Sequence, residues 1–257
     1  MFDTLLYDPL LNTLIYIYTV IPWKDLGIAI ILLTILIKIL LFWPSLSALK
    51  SQRKLQDTQP KIEELKAKYK DNKEELGKKL MGFYKENKVN PFSSCLPLLI
   101  QLPILFALYR VFFAGLSLDP ATRLLPDEQI GHLYGYLEAM YQNTPLQTTF
   151  LGIVDLTKNR NILLAVITGL SQFLQTKMLT TKKSPIKSKG SQDENIAATM
   201  NKQMLYIFPF LTAYFAYTFP SGLALYWATT TVLTILQQLY FLKWHSKNNA
   251  TPKQATS

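Results

Sequence analysis

The amino-acid sequence points to an all-α polytopic membrane protein: five transmembrane helices, an amphipathic N-terminal helix in the membrane interface, and a cytoplasmic helical hairpin. Of the 257 residues 49% are hydrophobic, and they are gathered into long blocks, which is the pattern of a membrane chain. Lysine-rich segments separate the blocks, and the net charge is +10. When the blocks are threaded as alternating crossings, every basic cluster falls on one side, as basic loops next to spans do.

Residues 1–25 hold the interfacial helix. Asp3 and Asp8 precede the apolar stretch Leu10 to Val20. With no basic n-region and no small-residue cleavage site, the stretch does not read as a cleaved signal. It is short, ends at Ile21-Pro22-Trp23, and with Tyr16, Tyr18 and Trp23 reads as lying in the outer interface.

Residues 26–43, LGIAIILLTILIKILLFW, form the first span. At ~1.5 Å per residue it reaches ~27 Å, enough to cross a bilayer core. One cation, Lys38, lies inside it, and Thr34 sits one turn outward on the same face. An ammonium at the centre of a span costs roughly 2.5–3.5 kcal/mol on insertion scales. Either the lysine stem snorkels to the nearer interface, or the amine faces a polar, water-containing cavity between helices.

Residues 44–93 are strongly charged, with twelve bases against seven acids between Lys50 and Lys88. Ile62, Leu65 and Tyr69, then Leu76, Leu80 and Phe83, recur at helical spacing. Glu64–Lys68, Glu74–Lys78 and Glu75–Lys79 are i,i+4 pairs in the favourable order. Asp71-Asn72 interrupts the pattern, which predicts two antiparallel helices with a narrow apolar seam and a wide cationic surface. Lys61, Lys66, Lys68, Lys78 and Lys79 are the candidate partner contacts there. A solvated loop that only enforces topology would explain the charge but not the periodicity.

The second span, 94–113, carries Pro97 and Pro103, each removing a backbone donor and together predicting a kink. Gln101 between them is a candidate polar contact across helices. Residues 114–160 are poor in bases and read as an outside loop, in which His132 reads as a surface histidine. The third span, 161–178, has Gln172 and Gln175 in its inner half, with Gly169 and Ser171 permitting close helix approach. Residues 179–203 read as a flexible cytoplasmic loop. The fourth span, 204–219, is bent at Pro209, and a tight outside turn at Phe219-Pro220-Ser221-Gly222 leads to the fifth, 223–242. That last span carries Trp227, Thr229, Thr230, Thr231, Gln237 and Gln238. A basic cytoplasmic tail, 243–257, follows, with His245 unpartnered. The N-terminus is then outside and the C-terminus inside.

A single cysteine, Cys95, excludes an intrachain disulfide and a cysteine metal cluster. Two histidines and no H-E-x-x-H, G-x-S-x-G or P-loop pattern leave no catalytic, metal or cofactor set. The basic excess suits an anionic leaflet or an RNA-rich partner and argues against sequence-specific DNA binding. A small solute or ion transporter using the same polar residues is the alternative. Against it stand only one buried cation, no intramembrane acid and no inverted repeat.

Several short runs then fall in a familiar order. They are Asn90-Pro91, Cys95-Leu96-Pro97, Gln101-Leu102-Pro103 and Phe106-Ala107-Leu108-Tyr109, then Thr149-Phe150-Leu151-Gly152 with Asp155-Leu156-Thr157. Gln172-Phe173-Leu174-Gln175, Phe219-Pro220-Ser221-Gly222-Leu223, Leu225-Tyr226-Trp227 and Gln237-Gln238 complete the series. Together they resemble the YidC/Oxa/Alb membrane protein insertases over roughly residues 5 to 245. The resemblance implies a five-helix core around a hydrophilic groove, open to the cytoplasm and to lipid but closed to the outside, in the bacterial cell membrane. By position the groove residues are Thr34, Lys38, Gln172 and Trp227, with Gln101 as a further polar candidate. Thr231 stands where many relatives have asparagine. Lys38 stands where the family usually has arginine, keeping the charge but losing the planar fork. The large outside domain of some relatives is absent, as is an N-terminal lipid-accepting cysteine. The implied partners are nascent membrane proteins, membrane lipids, and the ribosome with a Sec translocon or targeting factor. No cofactor and no nucleotide hydrolysis are implied.

Overall fold

The computed structural model describes residues 2–90, 96–116, 118–119, 121–179 and 192–249. Ser94 and Cys95, residues 180–191 of the loop expected at 179–203, and the tail from 250 lie outside the described residues, as does the side chain of His245.

The described chain is mainly helical. One π-helical turn, Asp3–Tyr7, leads into α1 (Asp8–Val20); α2 (Leu26–Leu40), α3 (Phe42–Lys68) and α4 (Lys73–Glu86) follow. Next come α5 (Leu96–Arg110), continued by a π-helical turn Val111–Gly115, and the short α6 (Asp127–Ile130) and α7 (Gly135–Tyr141). A two-stranded hairpin, β1 (Thr149–Phe150) and β2 (Val154–Asp155), precedes α8 (Ile162–Leu179), α9 (Gln192–Thr218) and α10 (Ser221–Asn249). Side-chain caps fix several starts by taking up otherwise orphaned amides. Asp25 accepts the Ile28 N–H at 3.0 Å, Asn72 that of Glu75 at 3.1 Å, and Asn161 that of Leu164 at 2.9 Å.

Four features differ from the reading of the sequence. The first apolar helix ends at Leu40 and restarts at Phe42 with a 67° bend, so Phe42 and Trp43 belong to the first helix of the charged hairpin. In an unbroken helix the Pro44 ring would meet the Leu40 carbonyl; in the first turn of α3 its missing N–H costs nothing. Pro97 likewise sits in the first turn of α5, and only Pro103 is interior. α9 and α10 run past the expected boundaries, back to Gln192 and on to Asn249. Neither extension contains glycine or proline to stop it. Finally, Thr149 pairs with Asp155 and Phe150 with Val154 in an antiparallel hairpin too short to register as a strand pattern.

α10 packs against α2 and α8, α8 against α9, and α1 against α2. Gly169 brings α8 onto α9: a Cβ there would lie 2.8 Å from that of Ala213. The continuous core takes Leu11, Leu14 and Tyr18 from α1, Ile30 and Leu33 from α2, Leu108 from α5, and Leu223 and Tyr226 from α10. Outside it the usual order is reversed. Large apolar side chains face outward on α2 (Leu32, Leu36), α5 (Phe106), α8 (Leu163, Leu170), α9 (Ile207, Phe210) and α10 (Leu236, Tyr240), whereas Thr34, Thr168, Gln172, Thr231 and Gln238 are buried. No single described helix is long and apolar enough to cross a membrane, although α2 and α3 meet that test as a bent pair.

Candidate functional site

α10 places Tyr226, Thr230, Thr234 and Gln237 at successive turns of one face. Three other helices reach this stripe. Lys38 Nζ from α2 donates to Thr234 Oγ1 at 2.8 Å, so the amine is turned toward α10. Gln101 Nε2 from α5 donates to the Tyr226 hydroxyl at 2.6 Å, and Ser45 Oγ from α3 donates to Gln237 Oε1 at 2.9 Å.

The other candidates bond within their own helices. Thr34 is fully buried and donates to the Ile30 carbonyl at 2.6 Å; Thr231 donates to that of Trp227 at 2.9 Å. Gln172 is buried, with its amide 3.4 Å from Thr176 Oγ1 one turn on. Trp227 is half-buried. Lys38 and Gln101 are thus brought to α10, and Thr34, Gln172 and Thr231 are buried without such a bridge among the described hydrogen bonds. Sequence reasoning missed Thr234 and Ser45. The four-residue spacing of Tyr226, Thr230 and Thr234 was the available signal.

At the α3 end of the stripe Gln237 Nε2 and Gln238 Oε1 are buried with no hydrogen-bond partner among the described residues. An unmet buried polar group costs about 1–3 kcal/mol. Gln238 lines a cavity of about 20 Å³ whose walls also include Gln52, Arg53 and Met178, roughly the room one water needs. This end therefore retains unused hydrogen-bonding capacity.

At the opposite end hydrogen bonds tie the N-terminal segment to residues 129–147. Asn12 Nδ2 donates to the His132 carbonyl at 2.8 Å, and its Oδ1 accepts from the Tyr134 N–H at 2.7 Å. Tyr18 accepts the Gln147 N–H at 2.8 Å, and the Tyr7 hydroxyl donates to Gln129. Arg110 pairs with Asp3 and lies 4.8 Å from the Tyr7 ring. Burial outweighs that cation and pushes the Tyr7 phenol up to about 12. His132 is not the isolated surface residue expected. Its Nδ1 lies 2.8 Å from Asp8 Oδ1 and its ring stands edge-on to Tyr7, a pairing hidden by a separation of 124 positions in sequence.

In the α3–α4 hairpin Ile62 closes the apolar seam at 2% exposure. Lys61, Lys68, Lys78 and Lys79 are exposed and Lys66 is half-buried. The Lys68 and Lys79 ammoniums lie 5.6 and 5.9 Å from the Tyr69 ring, on either side of the turn, and Lys78 bonds Glu74 at 2.6 Å.

The chain that carries this polar stripe is similar to known proteins. The family described as 60Kd inner membrane protein matches residues 16–249. A membrane protein insertase YidC of Fusobacterium nucleatum is 33% identical over 219 residues, 85% of this chain and 87% of the relative. One of Geobacter metallireducens is 30% identical over 93% of this chain but only 37% of its own length, and one of Streptomyces avermitilis 33% over 88% and 52%. A crystal structure described as an active YidC insertase with the first transmembrane domain resolved is similar at a TM-score of 0.53 and 29% identity, over 91% of this chain and 46% of that one. The chain belongs to the 60Kd inner membrane protein family, and that membership places it in the bacterial plasma membrane.

Proposed function

We propose that this chain is a membrane protein insertase, working through a cytoplasm- and lipid-open hydrophilic groove formed along the polar face of α10. The observation that carries the reading is the reversed burial: hydrocarbon outward, hydroxyls, amides and the Lys38 amine inward. Moving the polar flank of a new helix through hydrocarbon costs several kcal/mol per unpaired amide or charge. A half-depth polar recess shortens that dry path. Lys38, with Thr234, offers transient charge and hydrogen bonding to an acidic or uncharged flank. Thr34, Gln101, Gln172, Trp227 and Thr231 complete the walls, and the unmet amide groups of Gln237 and Gln238 stand at the entrance.

The incoming apolar segment then leaves sideways into lipid, driven by its own burial, so no nucleotide is required. The α1 cap keeps the far end closed to ions. In this topology the spans are 26–43 (bending at Leu41), 94–113, 161–178, 204–219 and 223–242, with 1–25 and 114–160 outside. The segments 44–93, 179–203 and 243–257 are cytoplasmic. The cationic hairpin and tail hold the ribosome, or a targeting factor or Sec translocon, near the entrance.

Site-specific photocrosslinking from positions 38 and 227 to a stalled single-span nascent chain tests the groove. Adducts from both positions are expected, with Lys38→Arg retaining insertion and Lys38→Glu losing it. Equal insertion by the two variants removes the role of the charge.

A further inference from the structure

The tip of the β1–β2 hairpin carries its apolar residues on the outside. Leu151 and Ile153, at its tip, are 62% and 81% exposed, and the neighbouring Trp23 is 75% exposed. Leu151 also holds a left-handed backbone, φ 50°, beside Gly152 at 70°. That conformation costs a leucine roughly 1–2 kcal/mol. In water both the exposure and the backbone are unfavourable, and glycine or asparagine would serve the turn better.

The height of this tip is set by the first membrane helix. The Leu151 N–H donates at 2.6 Å to Asp25 Oδ2, and the other oxygen of that carboxylate caps α2 through Ile28. The Phe150 ring lies across the first turn of α2, so close that a Cβ on Gly27 would fall 2.1 Å from it. Asp155 accepts hydrogen bonds from Thr157 and Thr148, which hold the base of the hairpin. The tip, Trp23 and Lys24 therefore share one level, where the apolar α2 begins. Between them is an open cavity of about 440 Å³, lined by Trp23, Lys24, Asp25 and Leu151 among others.

From these placements we propose that Trp23, Lys24, Leu151 and Ile153 form a wedge that seats in the outer leaflet, with Lys24 on the phosphate of a glycerophospholipid whose headgroup occupies the cavity. Trp23 and the hairpin tip enter the acyl boundary, where aromatic and aliphatic side chains are favoured, and the cation meets the anionic headgroups. The wedge braces the outer end of α2, and with it Lys38. This reading uses the topology proposed above, in which residues 114–160 are outside.

Single nitroxides at positions 153 and 142, in a Cys95→Ser background and in vesicles of phosphatidylethanolamine and phosphatidylglycerol, test it. Ile153 and Gln142 are both exposed, so labelling disturbs no packing. The label at 153 is expected to collide several-fold less with a water-soluble nickel chelate, and more with oxygen, than the label at 142. Lys24→Glu should restore nickel access at 153, and Lys24→Arg should not. Equal nickel access at 153 and 142 overturns the wedge, and loss of both oxygen and nickel access at 153 assigns the surface to a protein contact, overturning the lipid. Protection unaffected by Lys24→Glu overturns the headgroup contact. Impermeant maleimide at a cysteine at position 142 reads the topology separately: reaction only from the cytoplasmic side removes the orientation, whatever the depth at 153.

Discussion

Lys38 is held by a hydroxyl 196 positions away in sequence. That contact turns the amine toward α10 instead of along its own helix. An ammonium inside a span costs roughly 2.5–3.5 kcal/mol on insertion scales, a cost that an apolar side chain of similar length does not carry. Lys38→Met is therefore expected to keep or raise the melting temperature in detergent while reducing insertion of a single-span substrate, the two read on the same preparation. Thr234→Val removes the amine's acceptor and keeps the shape, and should lower insertion less than Lys38→Met does. Tyr226→Phe, which strips the hydroxyl from Gln101, should cost about 1 kcal/mol of stability, the usual net worth of such a bond.

Single elements carry their own tests. Gly27 exists to let Phe150 lie on α2, so Gly27→Val should destabilise by about 1–3 kcal/mol, as overpacking does. Phe150→Ala should recover part of that loss in a double mutant, measured by thermal unfolding. The docking of α1 has a pH signature. The Tyr7 phenol is raised from 10.0 to about 12, so its neutral form is the one the folded state favours. The stability it lends is fully present below pH 10 and lost as pH rises toward 12. Tyr7→Phe should remove that alkaline component, and comparison of the two pH–stability curves checks it. The bend at Leu41 follows from Pro44, which cannot sit in the fourth position beyond Leu40 of an unbroken helix. Only the extent of the hydrophobic run suggested otherwise, since apolar character continues through Phe42 and Trp43 whichever way the backbone turns.

Over the whole molecule the reversed burial is the governing fact, and it too is testable. An ionisable group on an outward face, such as Leu170→Lys or Phe210→Lys, should cost roughly 2.5–3.5 kcal/mol of membrane insertion near a helix centre. More of such variants should be extracted from membranes by alkaline wash. The same substitution at Gln142, in the 114–160 loop, should be silent.

Hydropathy and charge by themselves determined that the chain is a helical membrane protein with a charged hairpin near one end, because block length, charge sign and 3.6-residue spacing are local quantities. They also singled out Lys38 and Gln101, since an isolated polar group in hydrocarbon is conspicuous without any partner. Thr234 and Ser45 stayed hidden because a hydroxyl in a span is cheap when bonded to its own helix. His132 stayed hidden because its carboxylate belongs to a helix near the N-terminus, far from it in sequence. Tertiary packing alone decided which polar groups meet, which face of α10 they share, and how the hairpin tip is tied to α2. Those are relations between distant segments, set by close approach of backbones and side chains, and no local period encodes them.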